Sequence, residues 1–205
     1  MPKIVDHEQR RRELAEAVWR VIARDGVAEV SMRTVAAEAG WSSGALRHYF
    51  STRDGLLAFA CELVIERVTE RITALRHTGT PREAVRAILL ETMPVDAERR
   101  AEASVAFAFV ALGLTDAELA EVKRLSFTGM YELCLRLVTE MANIGALAEP
   151  HPPLETSARR LHAVVDGLTL HVLAGHLTPA EMTAEFDAYL AELIPDRPAP
   201  APVHP

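Results

Sequence analysis

Residues 28–57 read AEVSMRTVAAEAGWSSGALRHYFSTRDGLL. Ser31 precedes a short helical segment over 32–39 that Gly40 closes. After only Gly40-Trp41-Ser42, a second short segment follows over 43–50. Its apolar positions Leu46, Tyr49 and Phe50 share one face at i, i+3 and i+4. Two short helices joined at a glycine turn have the composition of a helix-turn-helix. In that motif the second helix enters the major groove and its N-terminal residues reach base edges. Leu46 and Phe50 are expected to anchor this helix to a core of Leu14, Val18, Ile22, Val35 and Ala39. That leaves Ser42, Ser43, Gly44, Arg47 and His48 facing outward. Gly44 and Ala45 are small enough to let a duplex come close, and Arg47 can fork two N–H groups onto guanine O6 and N7. Ser43, His48 and Tyr49 can donate to phosphate oxygens, which fixes register without reading sequence. Ser42 or Ser43 also caps the helix, whose positive end favours a phosphate.

Outward from this stretch the pattern stays helical, and no segment sustains the period-2 alternation of a strand. Leu14, Val18, Val21 and Ile22 fall at i, i+4, i+7 and i+8, a first amphipathic helix over 7–25. Further helices are expected over 53–77, 81–93, 97–113, 116–144, 154–176 and 179–194. Three starts, Thr80 to Glu83, Thr115 to Glu118 and Thr178 to Glu181, carry capping boxes in which Thr and Glu satisfy each other's backbone N–H. Pro81 and Pro179 stand at first helical positions, where a missing donor costs nothing. Stops fall at Gly79, Pro94, Gly145 and Pro150–Pro153. The fold class is therefore all-α, about nine helices, with a proline-rich extended tail over 196–205.

At 205 residues the chain can bury a substantial core, and 49% hydrophobic with 25% charged residues excludes wholesale disorder. Cys61 and Cys134 stand alone, so neither a disulfide framework nor a cysteine zinc site is expected. The uncharged run 103–115 is too short for a bilayer span. The opening residues, with Asp6, Glu8 and Arg10–Arg12, show no signal-peptide core. A cytoplasmic location with no membrane partner is the expectation. The net charge of −7 is unevenly spread, at +1 over residues 1–54 and −8 over 55–205. A near-neutral end with local arginines on an acidic body permits contact with DNA.

The run Ser42-Ser43-Gly44-Ala45-Leu46-Arg47-His48-Tyr49-Phe50, followed by Arg53 and Leu56 and preceded by Ser31-Met32-Arg33-Thr34-Val35-Ala36, resembles the TetR family of bacterial transcription regulators. Val165-Asp166-Gly167-Leu168 is similar to one repressor subgroup. The resemblance implies a homodimer whose C-terminal helices form a four-helix interface and a ligand pocket. Effector binding then changes the spacing of two DNA-reading heads. By position it implies DNA contacts at Arg33, Ser42, Ser43, Gly44, Arg47, His48 and Tyr49, with Arg53 on a phosphate. Two departures stand out: family members often carry an aromatic at the place of Arg47 and a Lys at that of Arg53. Trp41, where a smaller aliphatic is usual, is expected to staple the recognition helix.

The stripe of Phe107, Val110, Ala111 and Leu114, facing Phe127, Tyr131, Cys134 and Val138, reads as core or as the wall of an effector cavity. Tyr131, Thr128, His162 and Asp166 are its candidate polar groups. Leu161, Val164, Val165, Leu168 and Val172, with Phe186, Leu190 and Leu193, exceed what one isolated helix face can hide. A two-fold interface would cover them, and an intrachain bundle is the alternative. His162 and Asp166 at i, i+4 suit a hydrogen-bonded pair. His171 and His176, five apart, are expected to diverge, so no metal site is assigned. No nucleophile elbow, phosphate loop or dinucleotide fingerprint occurs, so neither catalysis nor a cofactor is expected. The sequence predicts a DNA-binding head over 1–50 and a ligand-binding, dimerising body over 51–195. Its partners would be a double-stranded operator, a second copy of the chain and a small-molecule effector. The expected function is a ligand-responsive regulator, most simply a repressor released from a pseudo-palindromic operator. A helical ligand-binding or interaction module without DNA function is the competing class.

Overall fold

The structure, a computed structural model, describes residues 7–76, 79–113 and 120–196. Among these every regular element is helical: α1 (His7–Asp25), a 3-10 turn (Val27–Glu29), α2 (Met32–Ala39), α3 (Ser43–Tyr49), α4 (Arg53–Ala74), α5 (Pro81–Leu90), α6 (Ala97–Gly113), α7 (Ala120–Asn143), α8 (Leu154–Leu173) and α9 (Pro179–Leu193). The chain forms two compact units, Met1–Leu75 with Glu91–Thr128, and Arg76–Leu90 with Gly129–Pro205.

In the first unit α1 is the hub, packed on α2, α4 and α6. Leu14, Val18, Ile22, Val35, Leu46 and Phe50 are buried in one cluster with Leu56, Leu57 and Ala60 of α4 and Val105 and Phe109 of α6, while Ala39 packs against it. The inward residues expected of the helix pair therefore form its core. Each such Val, Leu or Phe contributes roughly 1.5–3 kcal/mol through burial. Trp19 fixes α1 on α4: its indole N–H donates to the Ala60 carbonyl at 3.1 Å, and the Arg67 guanidinium lies 4.2 Å from its ring centroid. Because α4 and α6 share this core, residue 50 is not a boundary in packing.

The far end of α4 is held by charge. Arg71 clamps the buried Glu102 carboxylate with both terminal nitrogens, at 3.0 and 2.7 Å, and donates its Nε to Glu91 at 2.8 Å. Arg99 adds bonds to Glu91 and Asp96. A buried carboxylate survives when its charge and lone pairs are met in this way.

In the second unit α9 packs against α8 and α5. Leu161, Val165 and Val172 of α8 and Met182, Phe186 and Leu190 of α9 are all buried. Arg86 donates to both carboxylate oxygens of Asp187, tying α5 to α9. Cys61 and Cys134 are buried free thiols, and desolvation pushes each up to about 12, so both stay neutral.

Helix ends follow the local chemistry. The boxes at Thr80–Glu83 and Thr178–Glu181 form in both directions, while the one at Thr115–Glu118, like Leu114, lies outside the described residues. Six ends come earlier than expected, those of α3, α7 and α9 by one residue. Helix α3 stops at Tyr49 because Phe50 adopts extended backbone. Helix α4 stops at Ala74 as Leu75 turns extended. Helix α5 stops at Leu90, ahead of Pro94, which disfavours helical backbone at the residue before it. Helix α8 stops at Leu173 because Gly175 takes φ +74°, letting His176 N–H bond the His171 carbonyl at 2.9 Å. That reversal also overturns the expected divergence of His171 and His176, whose rings lie 5.1 Å apart.

Candidate nucleic-acid interface

The helix pair is set by three caps. Ser31 and Thr34 form a reciprocal capping box at the start of α2, with bonds of 3.1 and 2.9 Å. The Thr34 hydroxyl also donates to the Glu29 carbonyl at 2.7 Å, fastening the 3-10 turn. At the other end Gly40, with φ +71°, lets Trp41 N–H reach the Ala36 carbonyl at 2.8 Å and its own N–H reach Ala37 at 3.1 Å. This left-handed closure aims the chain into α3. Ser42, rather than Ser43, caps α3, its Oγ accepting from Ala45 N–H at 3.1 Å. A clamp of Arg20 and Arg24 on Glu38, at 2.8 and 2.7 Å, joins α1 to α2. It holds the Glu38 carboxyl below the usual range.

Leu46 is fully buried and Phe50 nearly so, which fixes the rotation of α3. Ser42, Gly44, Ala45, Arg47 and His48 are consequently exposed, Ser43 and Tyr49 half-buried, and Arg33 of α2 exposed. Arg33 and Arg47 have no ion-pair partner among the described residues. A Cβ at Gly44 would meet nothing closer than Ser42 Oγ at 3.9 Å, so the fold itself does not demand glycine there. The smallness of this position serves whatever approaches from outside.

Arg53 has a place that sequence reasoning did not supply. Its Nε donates to the Val30 carbonyl at 2.7 Å, and it lies 3.6 Å from Asp54. The side chain thus ties the start of α4 to the residue just before the α2 cap. Thr34 was likewise unmarked, although its spacing from Ser31 is that of a capping box. Trp41 does pack on the recognition helix, edge-on to Tyr49 with centroids 5.4 Å apart. Arg10 lies over its ring, a contact across 31 residues that no local spacing reveals.

The remaining site residues divide between the units. Phe107 is half-buried on α6, and Phe127 and Thr128 are exposed on α7, all in the first unit. In the second, Tyr131 is half-buried, Cys134 and His162 are buried, and His162 Nε2 lies 3.1 Å from Asp166 Oδ2. An open depression of about 450 Å³ lies elsewhere on α7, along Glu132, Leu135, Arg136, Thr139 and Glu140. The interface expectation needs correction. Leu161, Val165, Val172, Phe186 and Leu190 are each at most 2% exposed within one chain, so they are core and have no surface left to offer a partner. Val164 and Leu168 are half-buried, and Leu170, which the pattern passed over, is 53% exposed. Among the described residues no three His, Cys, Asp or Glu side chains gather to hold a metal ion.

Comparison with known proteins accords with this geometry. Residues 14–59 match the model of bacterial regulatory proteins of the tetR family. Residues 81–195 match that of the C-terminal part of BetI-type transcriptional repressors. The chain is 44% identical over 175 residues to the HTH-type transcriptional regulator PksA of Bacillus subtilis, covering 84% of this chain and 83% of that protein. It is 30% identical over 187 residues to the regulator BetI of Stenotrophomonas maltophilia, covering 90% of each. Among solved structures, a transcriptional regulator from Rhodococcus sp. Rha1 matches with TM-score 0.77 at 30% identity, over 89% of this chain and 95% of that one. A regulator from Saccharomonospora viridis in complex with choline shares the fold, with TM-score 0.79 at 21% identity, over 93% and 100%. The chain therefore belongs to the TetR family of bacterial transcriptional regulators, with a C-terminal part of the BetI type, and is a DNA-binding protein rather than an enzyme.

Proposed function

We propose that the protein is a cytoplasmic repressor that binds a pseudo-palindromic operator as a homodimer and leaves it when a small molecule occupies the body. The observation that carries this reading is the outward face of α3, where Gly44, Ala45, Arg47 and His48 stand exposed beside a fully buried Leu46. In this division of labour residues 1–50 read DNA and the helices after them sense and dimerise. Arg47 reads a base edge, while Arg33, Ser42, Ser43, His48 and Tyr49 position the backbone.

A two-fold pair of heads requires half-sites about one helical turn, ~34–36 Å, or a multiple apart. The surface for pairing is the outward side of α8, with Ala163, Leu170, His171 and Ala174 exposed and Val164, Gly167 and Leu168 half-buried, together with Ala180, Ala184, Ala188 and Ala191 of α9. Small residues let helices of two copies approach closely, and an exposed leucine gains from being covered. Effector binding is assigned to the second unit, where the His162–Asp166 pair and Tyr131 supply polar groups beside buried Cys134. Such a ligand shifts operator affinity only by as much as it prefers one head spacing over the other. Helix α4, packed on both α1 and α6, is the element placed to carry the change.

The test is protection of the intergenic DNA upstream of the protein's own coding sequence. An inverted repeat protected by wild type, and lost on adding an effector from a small-molecule screen that includes choline, supports the reading. Leu170→Glu should sediment as a monomer and lose the paired footprint. A dimeric Leu170→Glu, or protection of a single half-site by wild type, contradicts the proposed pairing.

A further inference from the structure

The two tryptophans stand in opposite circumstances. Trp19 is buried, with its indole N–H on the Ala60 carbonyl. Trp41, one residue before the cap of α3, is half-buried, and its indole N–H has no acceptor among the described residues. Its ring is fixed all the same, with the Tyr49 ring at its edge at 5.4 Å and the Arg10 guanidinium 5.3 Å from its centroid. Arg10 bonds Glu13 through one terminal nitrogen at 2.9 Å, and its other donors have no partner among the described residues.

Leaving part of a large aromatic surface in water brings the fold nothing, and an indole is a donor with no acceptor capacity. A rigid, immobilised donor next to a cation, flanking the first residues of a DNA-reading helix, has the chemistry to meet a phosphate oxygen. We infer that Trp41 contacts the sugar-phosphate backbone of the operator through its indole N–H, and that Arg10 lays its charge on the same stretch of backbone. The inference rests on the DNA-reading role of α3. The pair comes from outside α3, from the turn before it and from α1, so it positions the duplex without reading bases. In a chain of net charge −7, such local cations matter more than the total.

Fluorescence anisotropy on two labelled duplexes tests this: the upstream intergenic DNA and a mixed-sequence duplex of the same length. Trp41→Phe keeps an aromatic edge for Tyr49 and removes the donor. It should weaken binding to both duplexes by roughly three- to tenfold and flatten the salt dependence by about one phosphate contact. The ratio between the duplexes and the melting temperature should not change. Arg10→Gln should act the same way. Acrylamide quenching of the wild-type protein gives a readout that needs no variant, because DNA should shield the quenchable, Trp41 part of the emission. Wild-type affinity and salt slope in Trp41→Phe, or unaltered quenching on DNA, overturns the inference. So does a changed ratio between duplexes at constant slope, which marks base reading. Failure of wild type to bind either duplex removes the DNA-reading role of α3 itself, a separate result.

Discussion

Helices α3 and α8 both bury one face, and the composition of the other face separates their roles. On α3, Leu46 points in while Gly44, Ala45, Arg47 and His48 point out. The exposed set is small at the front, with the cationic Arg47 and the ring donor of His48 behind, which suits a charged polymer that must come close. On α8, Leu161, Val165 and Val172 point in, and the outer side carries Ala163, Leu170 and Ala174 with Arg160 and His171. That mostly small and apolar side suits another helix rather than phosphate. The comparison teaches that the residues strongest in hydrophobic pattern belong to the fold, and that function sits on the residues the pattern leaves over.

The largest effects should come from the buried sides, where the two helices behave alike. Leu46→Ala and Leu161→Ala each empty a fully buried site and should cost ~2–5 kcal/mol in denaturant unfolding. A Leu161→Ala protein of undiminished stability that lost only its dimer would restore the interface role that its burial denies.

Next comes Arg53, which was expected to meet a phosphate and is engaged with the Val30 carbonyl. Arg53→Ala should lower stability by about 1 kcal/mol as well as weakening DNA binding, and Arg53→Lys should restore charge but not that bond. Thermal melts beside salt titrations separate the two contributions. A loss confined to DNA binding would return Arg53 to a purely phosphate-contacting role.

Gly44→Ala should reverse the usual coupling between stability and function. The added methyl meets only open contact distance, so the helix gains ~0.5–1 kcal/mol, while operator affinity falls by about tenfold, ~1.4 kcal/mol. Equal or tighter operator binding in this variant would break the contrast between α3 and α8 at its outward face.

The smallest effect is a pH response in the α1–α2 clamp. Hydrogen bonds from Arg24 and Arg20 hold the Glu38 carboxyl below its ordinary value. Its stabilising contribution is therefore complete above the unfolded carboxyl range, about pH 4.3. It is lost as pH falls through the lower folded value. Glu38→Gln should lower stability slightly at neutral pH and flatten the acid limb of the stability curve. An acid limb as steep as that of wild type would show that the clamp contributes nothing.

How much of this was legible in the sequence depended on how local the signal is. The α2–α3 pair could be read because its caps, its glycine turn and the i, i+3, i+4 face all lie within 20 residues. Burial of Leu46 and exposure of Arg47 follow from that spacing alone. The partners of Arg53, Arg10 and Arg71 could not be read, because a long flexible side chain chooses its acceptor in three dimensions. In α8 the pattern showed that Leu161, Val165 and Val172 must be covered but not by what, and α9 with the rest of the chain's packing covers them before a second copy can. The early end of α8 was visible in principle at Gly175, the residue type best able to take the left-handed turn that closes a helix.

The most direct measurement is the affinity of wild type and Arg47→Ala for the protected duplex and its single-base-pair variants, at fixed salt. Wild type should discriminate at one position in each half-site by ~1–3 kcal/mol. Arg47→Ala should lose that discrimination while melting at the same temperature. An Arg47→Ala protein with the wild-type discrimination profile would contradict the claim that the outward face of α3 reads the operator.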